Sequence, residues 1–242
     1  MSLYDLSTYA LQPWADAGFE CHAYDIAHAG TATVRKNITV HKADLYNPLV
    51  RERIRQKHAG RCAFAFAFPP CTNLSIAGAR WFAKKRAENP RFMEVAAQNV
   101  IDAANLCKAM GGIHAVENPR TSRLSVLWRT CDHWFNPCDY GGYVPSPGTH
   151  PVWPNKIPAY DAYEKPTGLW TSPEFVMPSP KRVKPTWRIF GGKKPGSRKR
   201  RISPLFYGTG VRVRNATPRG FARAVFKANQ QRATRHLLRR ML

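Results

Sequence analysis

Apolar positions along this 242-residue chain fall into two textures. Through the first 120 or so positions, short apolar runs alternate with segments whose apolar residues recur at helical spacing. Ser2-Leu3-Tyr4-Asp5-Leu6 reads as a short strand ending near Asp5, and Gln12 to Gly18 as a first helix with Pro13 in its opening turn. Glu20 to Ile26 alternates as a second strand with Asp25 at its tip. Residues 27–36 read as a loop, Asn37 to His41 as a β-branched strand followed by Asp44, and Asn47-Pro48 opens a helix to about Lys57. Cys62 to Phe68 is a run of small and aromatic residues, expected to be a buried central strand. Pro69 and Pro70 then end it, since each lacks a ladder donor. Thr72 to Asn89 is polar, basic and aromatic and is predicted to be a mobile loop. Arg91 to Met110 carries Phe92, Val95, Ala96, Val100, Ala103, Ala104, Leu106 and Cys107 at helical spacing and stops on Gly111-Gly112. Ile113 to Val116 is another buried strand with Glu117-Asn118-Pro119 at its tip.

Strands alternating with helices predict an α/β fold, a mostly parallel sheet covered by helices on both faces. After residue 130 the texture changes to proline- and tryptophan-rich chain with short extended pieces. Gly168 to Thr171 is expected to return one strand to the sheet. Residues 191–201 read as a flexible basic loop. Thr217-Pro218 is expected to cap a helix to about Asn229, with a basic helix finishing the chain. No internal repeat is evident. The expected division is a catalytic domain over residues 1–190 and a basic nucleic-acid-binding extension over 191–242 packed on it.

Charge sharpens this picture. The formal net charge is +23, from 38 Lys and Arg against 15 Asp and Glu. From Lys181 to Leu242 there are 19 basic residues and no acidic one. Such a block repels itself unless a polyanion neutralises it, so nucleic acid is the expected partner. No apolar run approaches the roughly 18 residues of a membrane span. No secretion signal is evident, and six cysteines in a chain this long do not form a recognisable disulfide framework. The expectation is a monomeric protein of a bacterial or phage-infected host cytoplasm with reduced thiols. Cys131, His133 and Cys138, with His150 beyond, match no standard zinc spacing, and packing roles are favoured for them.

The chemistry-bearing residues collect at strand tips. Asp5, Asp25, Cys71 and Glu117 each end a predicted strand, and open α/β sheets place ligands outside the carboxyl ends of their strands. Cys71 therefore reads as a candidate nucleophile, with Arg80 or Lys84 near enough to lower its pKa.

Here the chain resembles the DNA cytosine methyltransferases that act at carbon 5. Pro69-Pro70-Cys71 with Leu74-Ser75 and Ala77-Gly78 is similar to their catalytic loop. Glu117-Asn118-Pro119 resembles their Glu-Asn motif, and Asp5-Leu6 the opening of their cofactor motif. Tyr140-Gly141 is similar to the piece that follows the Glu-Asn motif, and Arg214 to Arg219 resembles their late Arg-x-x-Thr-Pro-Arg motif. The compact layout is similar to phage-encoded members. The resemblance implies a Rossmann-like class I methyltransferase fold, S-adenosylmethionine as donor, double-stranded DNA as substrate and a base flipped into the pocket. It implies Cys71 as nucleophile and Glu117 as the group serving ring nitrogen 3. Asp5, Leu6, Asp25, Ile26, Asp44 and Pro69 would meet the cofactor. Ser75, Arg80, Asn118, Lys165, Thr167, Lys193, Lys194, Arg198, Arg200, Arg201, Arg214 and Arg219 would meet the base or the DNA. Lys165 and Thr167 are the nearest match to the family's Arg-x-Arg.

One departure bears on the donor. The family carries a Gly-x-Gly turn after the first strand, whereas Ser7-Thr8-Tyr9-Ala10 stands here without glycine. Two alternatives follow: the same nucleophile with a folate one-carbon donor such as methylenetetrahydrofolate, giving hydroxymethylation, or a DNA-binding homologue that has lost turnover.

Overall fold

The structure is a computed structural model that describes residues 1–190, 200–206 and 208–241. Its elements in chain order are β1 (Ser2–Leu3), α1 (Gln12–Asp16), β2 (Cys21–Asp25), β3 (Ala32–Arg35), β4 (Ile38–Lys42), α2 (Pro48–His58) and β5 (Phe64–Ala67). There follow α3 (Phe82–Glu88), α4 (Phe92–Met110), β6 (Ile113–Pro119), α5 (Leu124–Leu127), β7 (His133–Phe135) and β8 (Thr167–Thr171). The chain closes with β9 (Arg188–Phe190), β10 (Arg200–Ile202), α6 (Val211–Arg214) and α7 (Arg219–Met241).

Eight strands form one sheet in the order β3-β4-β2-β1-β5-β6-β8-β7. The run β4-β2-β1-β5-β6 is parallel throughout. The pairings β3–β4, β6–β8 and β7–β8 are antiparallel. The α/β expectation holds, with a sheet that is parallel at its centre and antiparallel at both margins.

The alternation in Ala63 to Phe68 explains how the two faces are filled. Phe64 and Phe66 point to one side, where they pack with Leu11 just before α1, with Trp14 of α1 and with Phe221 and Val225 of α7. Ala65 and Ala67 point to the other, against Ala96, Ala97, Val100 and Ala103 of α4. Small residues on both partners let α4 approach the strand closely, while stacked rings, such as Trp14 on Phe64 at 4.8 Å between centroids, fill the thicker layer. The helices therefore cover both faces, as the alternation of elements predicts.

Local signals place most element ends. Asn47 caps α2 by accepting from the Leu49 amide at 2.9 Å, and Gly111 closes α4 in the left-handed region at φ 82°. Three expectations need correction. Residues 76–88 are not loop: a 3-10 turn over Ile76–Trp81 leads directly into α3, anchored by Phe82 packing edge-on against Phe92. Ala32–Arg35, read as loop, is an edge strand hairpinned onto β4. The C-terminal helix is one element from Arg219 to Met241. Lys193, Lys194 and Arg198 lie outside the described residues, while Arg200 and Arg201 belong to β10, which pairs antiparallel with β9. No described helix is long and apolar enough to cross a membrane.

Candidate active site

β5 and β6 are parallel neighbours, with Ala67 opposite Val116. The Pro-Pro-Cys segment and Glu117 therefore leave the sheet side by side at the same edge. The Asn118 amide, buried, donates to the Pro69 carbonyl at 3.1 Å and ties the two tips together. β8 runs antiparallel to β6, pairing Leu169 with Glu117 and Thr167 with Pro119. It enters the sheet where β6 leaves it, which delivers Lys165 and Thr167 to that edge. Lys165 Nζ stands 3.6 Å from Glu117 Oε1, both side chains being less than a fifth exposed. Lys165 also donates to the Arg214 carbonyl at 3.2 Å, and the Thr167 hydroxyl donates to the Lys165 carbonyl at 2.7 Å.

A pocket opens over this group, lined by Phe68, Glu117, Lys165, Thr167 and the segment Asn215–Pro218. Its interior holds about 20 Å³ for a water-sized sphere, room for about one water. A planar base enters only if the walls part. Glu117 Oε1 and the Thr217 hydroxyl are buried there without hydrogen-bond partners. Glu117 Oε1 keeps its ion pair with Lys165, but the hydrogen bonds that these two groups lack are what a polar ligand in the pocket would supply.

Cys71 is half-buried. Its carbonyl accepts from the amides of Leu74 and Ser75, both at 2.9 Å, so the chain turns sharply just after the thiol. Gly78 is required by this turn: a Cβ there would meet the Thr72 carbonyl oxygen at 2.0 Å. Burial pushes the Cys71 thiol up, and the charge of Glu117 adds to this, while Lys165 pulls the other way. The expected activation by Arg80 or Lys84 is not what the structure arranges. Arg80 lies 5.1 Å over the exposed Trp81 ring, and Lys84 pairs with Glu88. The cation that faces the thiol is Lys165.

Ser75, Asn118 and Thr167 are buried, and of these Thr167 lines the pocket. Arg219 begins α7 and donates to the Thr149 carbonyl at 2.7 Å. Sequence reading missed two groups. Tyr163 is fully buried, its phenol pushed well up by burial with the charges of Asp161 and Glu117 adding. Asp161 accepts from the Gly220 amide at 2.8 Å and so caps α7, whereas the expected cap, Thr217, leaves its hydroxyl unpaired. Nothing in the sequence signals a cap supplied from 59 positions upstream.

The sheet order reverses between β1 and β5, which is where doubly wound sheets open a crevice. Asp25 sits at the tip of β2, with Ile26 56% exposed and Leu6 37% exposed beside that edge. Asp44 is exposed and accepts from the Tyr46 amide at 3.0 Å. Asp5 departs from the expected outward carboxylate. It is buried, and its Oδ1 accepts from the Ser7 amide at 3.0 Å and the Thr8 amide at 2.9 Å. Burial pushes its pKa up against these hydrogen bonds. Thr8 adopts φ 59°, the left-handed region in which a β-branched residue is strained. A carboxylate and exposed apolar side chains suit the nucleoside half of a cofactor. The amides of Ser7 and Thr8 are already engaged and do not suit its amino-acid half.

Among the described residues no group of three or more His, Cys, Asp or Glu converges as a metal site. His150 instead accepts from the amides of Val152 and Trp153, and Cys138 is buried in the fold. No protein-family model matches the chain, and no curated protein matches it.

Proposed function

We propose that the protein is a DNA cytosine carbon-5 methyltransferase of compact, phage-like layout, with a Rossmann-like class I methyltransferase fold. The observation that carries this reading is the placing of Cys71, just past the end of β5, beside Glu117 near the tip of the adjacent parallel strand β6, with Asn118 bridging the two segments and Lys165 facing Glu117. The parallel strands, numbered among themselves, run 3-2-1-4-5, the doubly wound order expected of a nucleotide-cofactor fold.

Carbon 5 of cytosine is a poor nucleophile until a thiolate adds to carbon 6. In this reading the Cys71 sulfur forms that bond and the electron pair of the 5,6 double bond moves into the ring. The proton given up by the Cys71 thiol passes to Glu117, which presents it at ring nitrogen 3, where charge accumulates. Lys165 holds Glu117 in place and favours the thiolate form of Cys71. Asp25, Ile26 and Leu6 would hold the nucleoside half of S-adenosylmethionine, which would supply an electrophilic methyl group for carbon 5. Once carbon 5 carries the methyl group, water takes its remaining proton, the electron pair left behind re-forms the 5,6 double bond and expels the Cys71 thiolate, and nitrogen 3 returns its proton to Glu117.

The test is incubation with cytosine-containing duplex DNA and S-adenosylmethionine, with 5-methylcytosine read by mass spectrometry. Product is expected from the wild type and none from Cys71→Ala; equal product from both overturns the assignment.

A second reading has a specific observation behind it. Asp5 occupies the Ser7 and Thr8 amides that a methionine moiety would otherwise use. The same nucleophile with methylenetetrahydrofolate would transfer a one-carbon unit without needing them. Calorimetry with each donor separates the two: tight binding of S-adenosylmethionine and none of the folate removes the second.

A further inference from the structure

α7 spans 23 residues, about 34 Å at 1.5 Å per residue. It begins beside the Glu117 pocket, of which Pro218 is a wall. It ends at the opposite edge of the sheet, where His236 donates to the Gly111 carbonyl just before β6 starts. Over its first turns the side facing the sheet carries Phe221, Ala224 and Val225, all buried. Helical periodicity continues each of these positions into an arginine. Arg239 lies five turns beyond Phe221, Arg232 about two turns beyond Val225, and Arg235 about three turns beyond Ala224. The face that packs into the core thus turns basic where α7 passes the end of the sheet.

All three arginines are exposed and lie on the side of α7 that borders the end of the sheet. With His236, Ile113 and Glu174 they line a concavity of about 280 Å³ under the overhanging helix. None of the three forms a salt bridge among the described residues. Glu174 is the single acid in the lining. Three exposed arginines lining one concavity, with no carboxylate bound to them, are matched by the tetrahedral oxygens of a phosphate group.

We infer that the overhang of α7 is a phosphate-binding site, which holds the backbone of the DNA duplex at the edge of the sheet opposite Cys71. Arg235 and Arg239 lie about 26 and 32 Å along the helix from Pro218, which corresponds to about eight or nine base pairs of B-form duplex. The inference rests on the proposed DNA substrate for the identity of its ligand; the phosphate chemistry stands on the arginines alone.

The test uses the full chain and the triple variant R232Q/R235Q/R239Q. Binding is measured by fluorescence anisotropy to duplexes of about 10 and about 30 base pairs sharing one central sequence, between about 50 and 200 mM salt. Each phosphate contact contributes about 0.9 to the slope of log K against log salt, so the variant should lose about 2.7 from the slope on the long duplex and none on the short one. Equal loss on both duplexes, or no loss on either, overturns the inference. Sodium pyrophosphate distinguishes the other phosphate source. If it raises the melting temperature of the wild type but not the variant while duplex length has no effect, the pocket serves a free phosphate and the DNA assignment fails. Should the triple variant fail to fold, R235Q alone carries the test, with an expected slope loss of about 0.9 confined to the long duplex. Methylation is read separately, so absence of 5-methylcytosine counts against the enzyme reading and leaves these slopes unaffected.

Discussion

At the scale of single residues, the site is governed by what faces Cys71. Its thiol is pushed up by burial and by Glu117, with Lys165 as the opposing cation. A raised thiol pKa means that the thiolate fraction is still growing above pH 9, where an unperturbed thiol, with its value of 9.0, has begun to saturate. Iodoacetamide labelling of the Cys71 peptide, followed by mass spectrometry, should therefore keep accelerating past pH 9. In Lys165→Met the whole profile should move further alkaline. Methylation should fall about 10- to 100-fold, the equivalent of losing one charge-assisted contact of about 1.5–3 kcal/mol. Lys165→Arg should restore most of both. An unshifted labelling profile in Lys165→Met would show that Lys165 merely braces the Arg214 segment through its hydrogen bond to that carbonyl. The placement of Cys71 and Glu117 at neighbouring strand tips was legible because a cysteine after a proline-stopped strand and an acid after a buried strand are local patterns. The role of Lys165 was not, because it depends on β8 entering the sheet antiparallel beside β6.

At the scale of elements, α7 is held by a residue outside it. Asp161 accepts from the Gly220 amide, and Gly220 is required there because a Cβ would meet the Tyr140 carbonyl at 2.2 Å. Burial raises the Asp161 carboxyl from 3.8 to about 6, against the hydrogen bond and the charge of Arg219. The sign follows from the direction. A carboxyl with a raised folded pKa favours the folded state in its protonated form, fully below pH 3.8, and loses that advantage as pH rises through about 6. Asp161→Asn keeps an acceptor for Gly220 and tolerates the left-handed φ of 48°. Its melting temperature should exceed that of the wild type at pH 8, and the gap should close as pH falls below about 6. Asp161→Ala, which leaves Gly220 unpaired, should be less stable than Asp161→Asn across that range, by about 0.5–2 kcal/mol. A pH-independent gap between wild type and Asp161→Asn would contradict the buried carboxylate. Elements such as α2 and α4 were readable because their caps, Asn47 and Gly111, adjoin them in sequence. The cap of α7 comes from a distant segment, and α3 was hidden by polar composition in a stretch held by Phe82 on Phe92.

At the scale of the whole molecule, charge acts on stability and on binding in opposite directions. A net charge of +23 makes the folded chain repel itself, and salt screens that repulsion over about 10 Å at 0.1 M. The acid-free stretch from Lys181 onward includes α7, whose first half supplies Phe221, Ala224 and Val225 to the core. Basic residues are thereby held on a rigid element that reaches from the Glu117 pocket to the far edge of the sheet. Raising sodium chloride from about 50 to about 200 mM should therefore raise the melting temperature of the free protein while lowering its DNA affinity by orders of magnitude. Duplex DNA at low salt should raise the melting temperature by more than salt does, since it neutralises the same charges where they are concentrated. Scanning calorimetry with and without duplex, at both salt concentrations, reads all three effects. A melting temperature that falls with salt would mean that the basic residues are already compensated within the fold. The excess of arginine and lysine would then be a solvated surface and not a site awaiting a polyanion.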